Sequence, residues 1–146
     1  MNKVQHVKNV LNSFENLTGR TIIKRTTPEA DLLEIENGEF FLVSHNKEDD
    51  PVLNYGNKNA LKLWELSWDN FIKTPSRKTA EADLRIKRKE MLNTVSKQGY
   101  FEKYEGIRVS SKGKRFKIKN VVIWNVKDEN GLYLGQAAYF NTIEYL

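Results

Sequence analysis

The strongest constraint on the fold is a pair of tight turns that join three extended segments near the end of the chain. Lys112-Gly113-Lys114 and Asp128-Glu129-Asn130-Gly131 have the composition of hairpin turns. Residues 115–126, which lie between these turns, alternate in hydrophobicity as a half-buried strand does. The turns therefore predict three consecutive antiparallel strands, over residues 100–111, 115–126 and 132–140.

The central one of these strands is predicted to carry apolar side chains on both faces of the sheet. Its alternation assigns the following residues to one face: Phe116, Ile118, Val122, Trp124 and Val126. Val121 and Ile123 then belong to the opposite face. We expect the middle of this strand to be covered from both sides.

The earlier part of the chain predicts two short strands and most of the helices. Strand composition over residues 40–45 and 51–55 predicts a pair of strands before the helical region. The predicted helices cover residues 4–17, residues 28–33, a short segment after Gly56, a turn near Trp68, and residues 77–98. Strands and helices grouped in this way favour an α+β protein over a doubly wound sheet.

Several short motifs in this order resemble the MEKHLA domain family, which is related to PAS domains. They are Asp50-Pro51-Val52-Leu53-Asn54-Tyr55-Gly56-Asn57, Ala60-Leu61-Lys62-Leu63-Trp64-Glu65, Pro75-Ser76-Arg77, Gly106-Ile107-Arg108-Val109-Ser110-Ser111, Gly113, Arg115-Phe116, Trp124-Asn125 and Gly135-Gln136-Ala137-Ala138. The resemblance covers roughly residues 5–140 and is to the stand-alone bacterial type. It implies a PAS-like five-stranded antiparallel sheet with helices on one face, plus an N-terminal helix. The expected division is a flanking helix over residues 1–19 and a PAS-like domain over residues 20–146.

The same resemblance implies a sensory, ligand-binding or interaction module that serves signalling or regulation. One segment departs from the family pattern, since Thr79-Ala80-Glu81-Ala82-Asp83 stands where a proline often follows the Ser-Arg pair. The start of the long helix is therefore expected to be shifted. The identity of the ligand does not follow from the resemblance.

The absence of cysteine excludes several kinds of cofactor chemistry. A chain without cysteine forms no disulfide, thiolate metal site or flavin–cysteine photoadduct. Its two histidines, His6 and His45, lie outside the helical middle from which haem-binding relatives commonly ligate iron, so haem is not expected. A noncovalent flavin or a small organic ligand remains compatible with the sequence.

Charge and hydropathy give weaker constraints on partners. The net charge is +5, but basic residues are spread along the chain, and the densest stretch is Arg85-Ile86-Lys87-Arg88-Lys89. We interpret that stretch as one solvated helix face, so a nucleic-acid partner is not expected. No segment is long and apolar enough to predict a membrane span or a secretion signal, so a cytoplasmic protein is expected.

A ligand pocket is predicted between the sheet and the central helices. Small side chains at Gly135, Ala137 and Ala138 should leave volume there. The candidate pocket residues combine flat apolar surface with a few polar groups: Asn54, Tyr55, Asn57, Trp64, Trp68, Arg77, Trp124 and Gln136. Each also has a structural interpretation, such as a core tryptophan, a turn asparagine or an arginine paired with an acid.

Two alternatives to a ligand sensor remain open. One is an interaction module with a filled core and no ligand. The other is a small cone-fold enzyme of the nuclear-transport-factor-like class, in which His45 acts as a base with Asp49 or Asp50. Neither a Ser-His-acid arrangement nor a metal-ligand spacing is visible, so an enzyme is not expected.

The N-terminal helix carries an apolar stripe that predicts a docking surface. Val4, Val7, Leu11 and Phe14 follow the 3-4-3 spacing of a coiled-coil seam. A helix of about four turns is marginal alone in water, so the stripe must be buried on something. The sequence leaves open its own domain and a second copy, and we expect a homodimer through this helix.

Overall fold

The computed structural model describes residues 1–81 and 85–146, apart from the side chains of residues 85 and 87. The helices are α1 (Lys3–Thr18), α2 (Pro28–Glu36), α3 (Lys58–Trp64), α4 (Trp68–Phe71) and α5 (Arg85–Gln98), with a 3-10 turn at Ser76–Thr79. The strands are β1 (Phe41–His45), β2 (Leu53–Gly56), β3 (Tyr100–Val109), β4 (Arg115–Lys127), β5 (Tyr133–Phe140) and β6 (Thr142–Tyr145).

The strands form one antiparallel sheet in the order β2-β1-β5-β4-β3, which is the predicted α+β architecture. The predicted strands and hairpins are confirmed, and the sheet has one further strand. β6 pairs antiparallel with the first residues of β4, from Phe116↔Tyr145 to Lys119↔Thr142. β5 pairs with the later residues of β4, from Val122 onward. One edge of β4 is therefore paired with β6 along its first part and with β5 along its second part.

Both faces of the sheet are covered, each by its own apolar core. One core lies beneath α3, α4 and α5, where Leu63, Phe71 and Val95 pack against Ile123 and Phe140 of the sheet. The other core lies beneath α1 and α2 and is built from Val7, Val10, Leu11, Phe14, Ile35, Leu42, Tyr55, Val122, Trp124, Val126 and Ala137. The central helices thus share one face of the sheet, and the N-terminal helix occupies the other.

A bulge in β4 overturns the predicted assignment of its faces. Asn120 adopts a left-handed conformation with φ 53°, and the register with β3 shifts between Ile118 and Val121. One extra residue in a strand reverses the alternation beyond it. Phe116 and Ile118 therefore lie on the face of the central helices with Val121, and not with Trp124 as predicted.

Local capping explains where α1 begins and ends. The side chain of Asn2 accepts a hydrogen bond from the Gln5 amide at 3.0 Å, and Gly19 ends the helix with φ 71°. The predicted helix over residues 77–98 is instead a 3-10 turn followed by α5, and part of its predicted start lies outside the described residues. No helix among the described residues has the length and hydropathy needed to cross a bilayer.

The apolar stripe of α1 packs against the sheet of its own chain. Val7 and Leu11 are fully buried and Phe14 is 3% exposed. The helix is fixed further by Trp124, whose indole N–H donates to the Val10 carbonyl at 3.1 Å. These side chains are therefore not available for the predicted seam with a second copy, and the expectation of a homodimer itself stays a prediction.

Candidate functional site

A cavity of about 70 Å³ lies between the sheet and the central helices. Its walls come from β1, β2, β3, β4 and β5 on one side and from α3, α4, the 3-10 turn and α5 on the other. Most of the lining is apolar: Val43, Leu53, Trp64, Phe71, Met91, Leu92, Ile118, Val121, Ile123, Ala138 and Phe140. An engineered protein cavity of about 150 Å³ holds benzene, so this one has room for a smaller molecule.

Two arginine side chains line this cavity, Arg88 from α5 and Arg108 from β3. Arg88 donates to the hydroxyl of the buried Ser76 at 2.7 Å. Burial, together with the nearby charge of Arg108, lowers the pKa of Arg88 to about 10, so it remains protonated at neutral pH. Among the residues that the structure describes, no carboxylate pairs with either guanidinium.

Arg108 is held in place by its neighbours on β3. It is 7% exposed, donates to the Ile107 carbonyl at 3.1 Å and to the Tyr104 hydroxyl at 3.3 Å, and lies 5.5 Å from the Tyr104 ring centroid. Gly106 provides the space, because a Cβ there would stand 2.7 Å from both Arg108 Nη1 and the Tyr104 hydroxyl. A glycine at this strand position thus lets the guanidinium lie beside the tyrosine.

A polar row crosses three neighbouring strands at the edge of the cavity. His45, Gln136 and Asn125 are cross-strand partners on β1, β5 and β4. Gln136 donates to the Asn125 side-chain oxygen at 3.1 Å, and Asn125 donates to the Val95 carbonyl of α5 at 3.1 Å. This row ties the sheet to the helix that carries Arg88.

His45 is neutral in the folded protein at neutral pH. Burial lowers its pKa, and the positive charge of Arg88 acts in the same direction, against an opposing hydrogen bond to the Asn46 carbonyl. The ring Nδ1–H donates to that carbonyl at 2.8 Å. His45 therefore adds no positive charge to the two that the arginines bring.

Trp64 contributes an unused hydrogen-bond donor. Its indole ring lines the cavity, and its buried N–H has no partner among the described residues. Buried donors in proteins are normally paired, so an unpaired one marks a place where an acceptor atom would be stabilised. The cavity thus combines apolar walls with donors from Arg88, Arg108 and Trp64.

Comparison with known families assigns the chain. The sequence profile of the MEKHLA domain matches residues 4–145, which is nearly the whole chain and includes α1. The chain belongs to the MEKHLA domain family. The expected division of this MEKHLA domain at residue 19 stays a prediction. A comparison with curated proteins gives no significant match.

Solved structures similar to this MEKHLA domain share the PAS fold. A PAS domain from Colwellia psychrerythraea is 15% identical, with a TM-score of 0.66 over 81% of this chain and 95% of that chain. The light-state dimer of the fungal blue-light photoreceptor Vivid is 13% identical, with a TM-score of 0.62 and 91% of each chain covered. A third structure, the PAS domain of a LuxR-family transcriptional regulator from Burkholderia thailandensis in complex with ethanol, is 14% identical, with a TM-score of 0.56 over 78% of this chain and 95% of that chain. At these identities the likeness establishes the fold alone.

Of the eight candidate pocket residues, the structure brings two together at the cavity, Trp64 and Gln136. Their contact with a ligand stays a prediction. Three aromatic candidates instead pack in the core beneath α1: Tyr55, Trp68 and Trp124. The face of the sheet decides this, since Trp124 follows Ile123 in β4 and so points to the opposite side.

The polar candidates away from the cavity have structural partners. Asn57 is fully buried, caps α3 through the Ala60 amide, and donates to the Ile35 and Phe40 carbonyls. Asn54 accepts a hydrogen bond from the Ser44 hydroxyl at 2.5 Å. Arg77 pairs with Asp50 at 3.1 Å on the surface, which is the structural interpretation of an arginine paired with an acid.

The small residues of β5 differ in where their side chains point, although both Ala137 and Ala138 border the cavity. The space beside Gly135 is filled by the His45 carbonyl oxygen, which would lie 2.0 Å from a Cβ there. Ala137 is 2% exposed and packs in the core beneath α1. Ala138 packs with the core beneath the central helices and lines the cavity, so it is the alanine that leaves space for a ligand.

Sequence reasoning missed both arginines, although each carries a signal. Arg88 completes the apolar stripe of α5, because it precedes the buried Met91 by three residues and Val95 by seven. The basic stretch around it is therefore not simply the solvated face that we expected. Arg108 lies four residues after Tyr104 in β3, so strand alternation assigns it to the same buried face.

The cone-fold enzyme is not the fold observed. His45 bonds a backbone carbonyl, and Asp50 pairs with Arg77, so the proposed His45–Asp50 dyad is not formed. Among the described residues, no group of three or more histidines and carboxylates is placed to hold a metal ion.

Proposed function

We propose that this MEKHLA domain is a sensor module that binds a small molecule in the cavity between the sheet and α3, α4 and α5. The observation that carries the proposal is an apolar cavity lined by two arginines and by Trp64, whose indole N–H has no partner among the described residues. A core that had evolved only for packing would be filled by side chains and would hold few polar groups without partners. The PAS fold of similar structures supports the same function.

The size of the cavity favours a small organic molecule over a flavin. At about 70 Å³ the cavity is well below the ~300 Å³ at which typical cofactor pockets begin. A flavin would require α5 to move away from the sheet and would break the Asn125–Val95 hydrogen bond. A flavin absorbance band in the purified protein would show that this movement takes place.

The small volume also supports a second candidate, an interaction module that needs no ligand. In that case α5 and the 3-10 turn would form a docking surface, and the cavity would be a packing defect. The two candidates differ in one measurable respect. A sensor binds a small molecule in the cavity, whereas the interaction module binds none there.

Native mass spectrometry of the full chain, purified from its own host, tests the proposal. We expect an added mass that is lost on denaturation and is absent from Ala138→Leu, because a leucine would fill the cavity. Ala137 also borders the cavity, but its side chain packs in the core beneath α1, so Ala137→Leu is the matched control and should retain the added mass where it folds. If the wild-type mass is bare, and no small molecule raises the melting temperature of wild type more than that of Ala138→Leu, the sensor proposal fails.

A further inference from the structure

Two cations that have no carboxylate partner among the described residues line one small apolar cavity, and a bound anion would offset their charges. Arg88 and Arg108 both line the cavity, and like charges close together in a poorly solvated space repel. Proteins normally pair buried guanidinium groups with carboxylates. Two acids that are close in sequence to the lining residues Trp64 and Thr79 have other partners: Glu65 accepts from Ser110, and Glu81 pairs with Arg115.

The hydrogen-bonding capacity of the two arginines points in the same direction. Each guanidinium carries five N–H donors. Among the described residues, Arg88 donates one hydrogen bond, to Ser76, and Arg108 donates two, to Ile107 and Tyr104. The free donors, with the unpaired indole N–H of Trp64, suit a group that has several acceptor oxygens and no donor.

The remaining walls determine what else such a ligand must carry. Leu53, Phe71, Met91, Ile123 and Phe140 offer only hydrocarbon or aromatic surface. An ion that is polar on every side, such as phosphate or sulfate, would lose hydration against these walls without compensation. A carboxylate with a short apolar tail presents oxygens to the donors and hydrocarbon to the rest of the cavity.

We therefore propose, resting on the sensor function above, that the ligand is a small aliphatic monocarboxylate whose carboxylate is bound by Arg88 and Arg108. The cavity volume limits the tail to a few carbon atoms, in the range of acetate, propionate and pyruvate. The planar guanidinium group presents pairs of N–H donors that match the two oxygens of a carboxylate. Charge-assisted hydrogen bonds of this kind are about twice as strong as hydrogen bonds between neutral groups.

Binding would also explain how a ligand changes the domain. Arg88 lies on α5 and Arg108 on β3, so one carboxylate bridges the helix and the sheet. Arg88 is joined through Ser76 to the 3-10 turn, whose Ser76 amide donates to the Pro51 carbonyl before β2. The ligand would therefore tighten the helical layer onto the sheet, which is a change that a partner protein can detect.

Calorimetric titration and thermal unfolding of the full chain, at constant ionic strength, test this proposal with acetate, propionate and pyruvate. Propionamide and 1-propanol serve as neutral analogues, and phosphate and sulfate serve as anions without a tail. We expect saturable binding and a higher melting temperature with the carboxylates. The neutral analogues and inorganic anions should bind at least about tenfold more weakly. The neutral analogues lack the negative charge that the arginines bind, and the inorganic anions lack the apolar tail that the walls contact.

Variants assign the binding to the two arginines. Arg88→Gln and Arg108→Gln should each weaken propionate binding about tenfold or more. Arg77→Gln is the matched control, since Arg77 is an exposed arginine that pairs with Asp50. Arg108→Gln removes a buried group and can impair folding, so Gly106→Ala provides a second test. Its methyl group would displace the Arg108 guanidinium while keeping both charges, and should also weaken binding.

The outcomes separate this proposal from the sensor function on which it rests. A neutral molecule that co-purifies with wild type and is lost in Ala138→Leu would leave the sensor function standing and overturn the carboxylate. Equal binding of phosphate and propionate would also overturn it, and so would propionate affinity that Arg88→Gln and Gly106→Ala leave unchanged. If no molecule binds by any measurement, both proposals fail.

Discussion

His6 is a titratable side chain buried between α1 and the sheet, where its charge state affects stability. It is 8% exposed, and its Nε2–H donates to the Ser44 hydroxyl at 2.9 Å, since that hydroxyl donates in turn to Asn54. Burial lowers the pKa of His6 from 6.5 to about 4. The folded protein therefore holds His6 neutral at pH values where the unfolded chain is already protonated.

This difference predicts that acid destabilises the protein before its carboxylates titrate. Above pH 6.5 both states carry a neutral His6, and its effect on stability is constant. As pH falls from 6.5 to about 4, His6 becomes protonated in the unfolded chain but stays neutral in the folded protein. This difference lowers the free energy of unfolding by up to ~3 kcal/mol, since each unit of pKa shift corresponds to about 1.4 kcal/mol. Urea unfolding at pH 7 and pH 4.5 measures this loss.

Glutamine at position 6 is the control for that titration. His6→Gln keeps a polar side chain and removes the proton-binding site, so most of the difference between pH 7 and pH 4.5 should disappear. A smaller slope should persist, because burial also lowers the pKa of His45, and His45→Gln should reduce that remainder. A wild-type slope that survives in His6→Gln would show that other groups cause the acid sensitivity.

At the scale of one element, β5 separates the two cores by strand alternation. Ala137 packs beneath α1, whereas the next residue, Ala138, lines the cavity on the opposite face. We expect Ala137→Leu to lower the free energy of unfolding by about 1–3 kcal/mol, since Ala137 is buried in the core beneath α1 and a larger side chain there would overpack it. Ala138→Leu should cost clearly less, because the cavity accepts the leucine.

Urea unfolding of the two variants beside wild type measures this asymmetry. The pair is internally controlled, since the same substitution is made at neighbouring residues of one strand. Equal costs at both positions would contradict the assignment of the cavity to the Ala138 face.

The elements also show which features the sequence could and could not predict. Turn signals at Gly113 and Gly131 located the hairpins of the sheet correctly, because turn chemistry is local. The face of Phe116 was predicted wrongly because Asn120 takes a left-handed conformation that no alternation pattern reveals. β6 was missed because its four residues are too few to show an alternation of apolar and polar side chains. Its pairing is with the first residues of β4, which are distant in sequence.

The same distinction holds for the site. Trp64 and Gln136 were identified as pocket residues, whereas Trp124 was assigned to the wrong side of the sheet. Residue type does not show which of these two tryptophans lines the cavity, because that depends on the direction in which each side chain points. Arg77 was preferred over Arg88 for its motif, yet Arg77 lies on the 3-10 turn and pairs with Asp50 at the surface, whereas Arg88 lies on the side of α5 that faces the cavity.

At the scale of the whole molecule, α1 is a structural layer of the domain. Deleting it would uncover Leu42, Val122, Trp124, Val126 and Ala137 on the sheet. The buried side chains of Val7, Val10, Leu11 and Phe14 would each lose about 1.5–3 kcal/mol of burial energy. Their sum, roughly 6–12 kcal/mol, is comparable with the whole stability of a typical domain at about 5–15 kcal/mol.

A chain that begins at Thr21 is therefore expected to lose cooperative folding. Thermal unfolding followed by circular dichroism should show a sharp transition for the full chain and none for the truncated one. Sedimentation should show the truncated chain aggregated through its uncovered sheet. Within the full chain, Leu11→Ala should cost about 2–5 kcal/mol, whereas the exposed Asn16→Ala on the same helix should have little effect. A truncated chain that stays monomeric and melts at the temperature of the full chain would show that α1 is a separable flank.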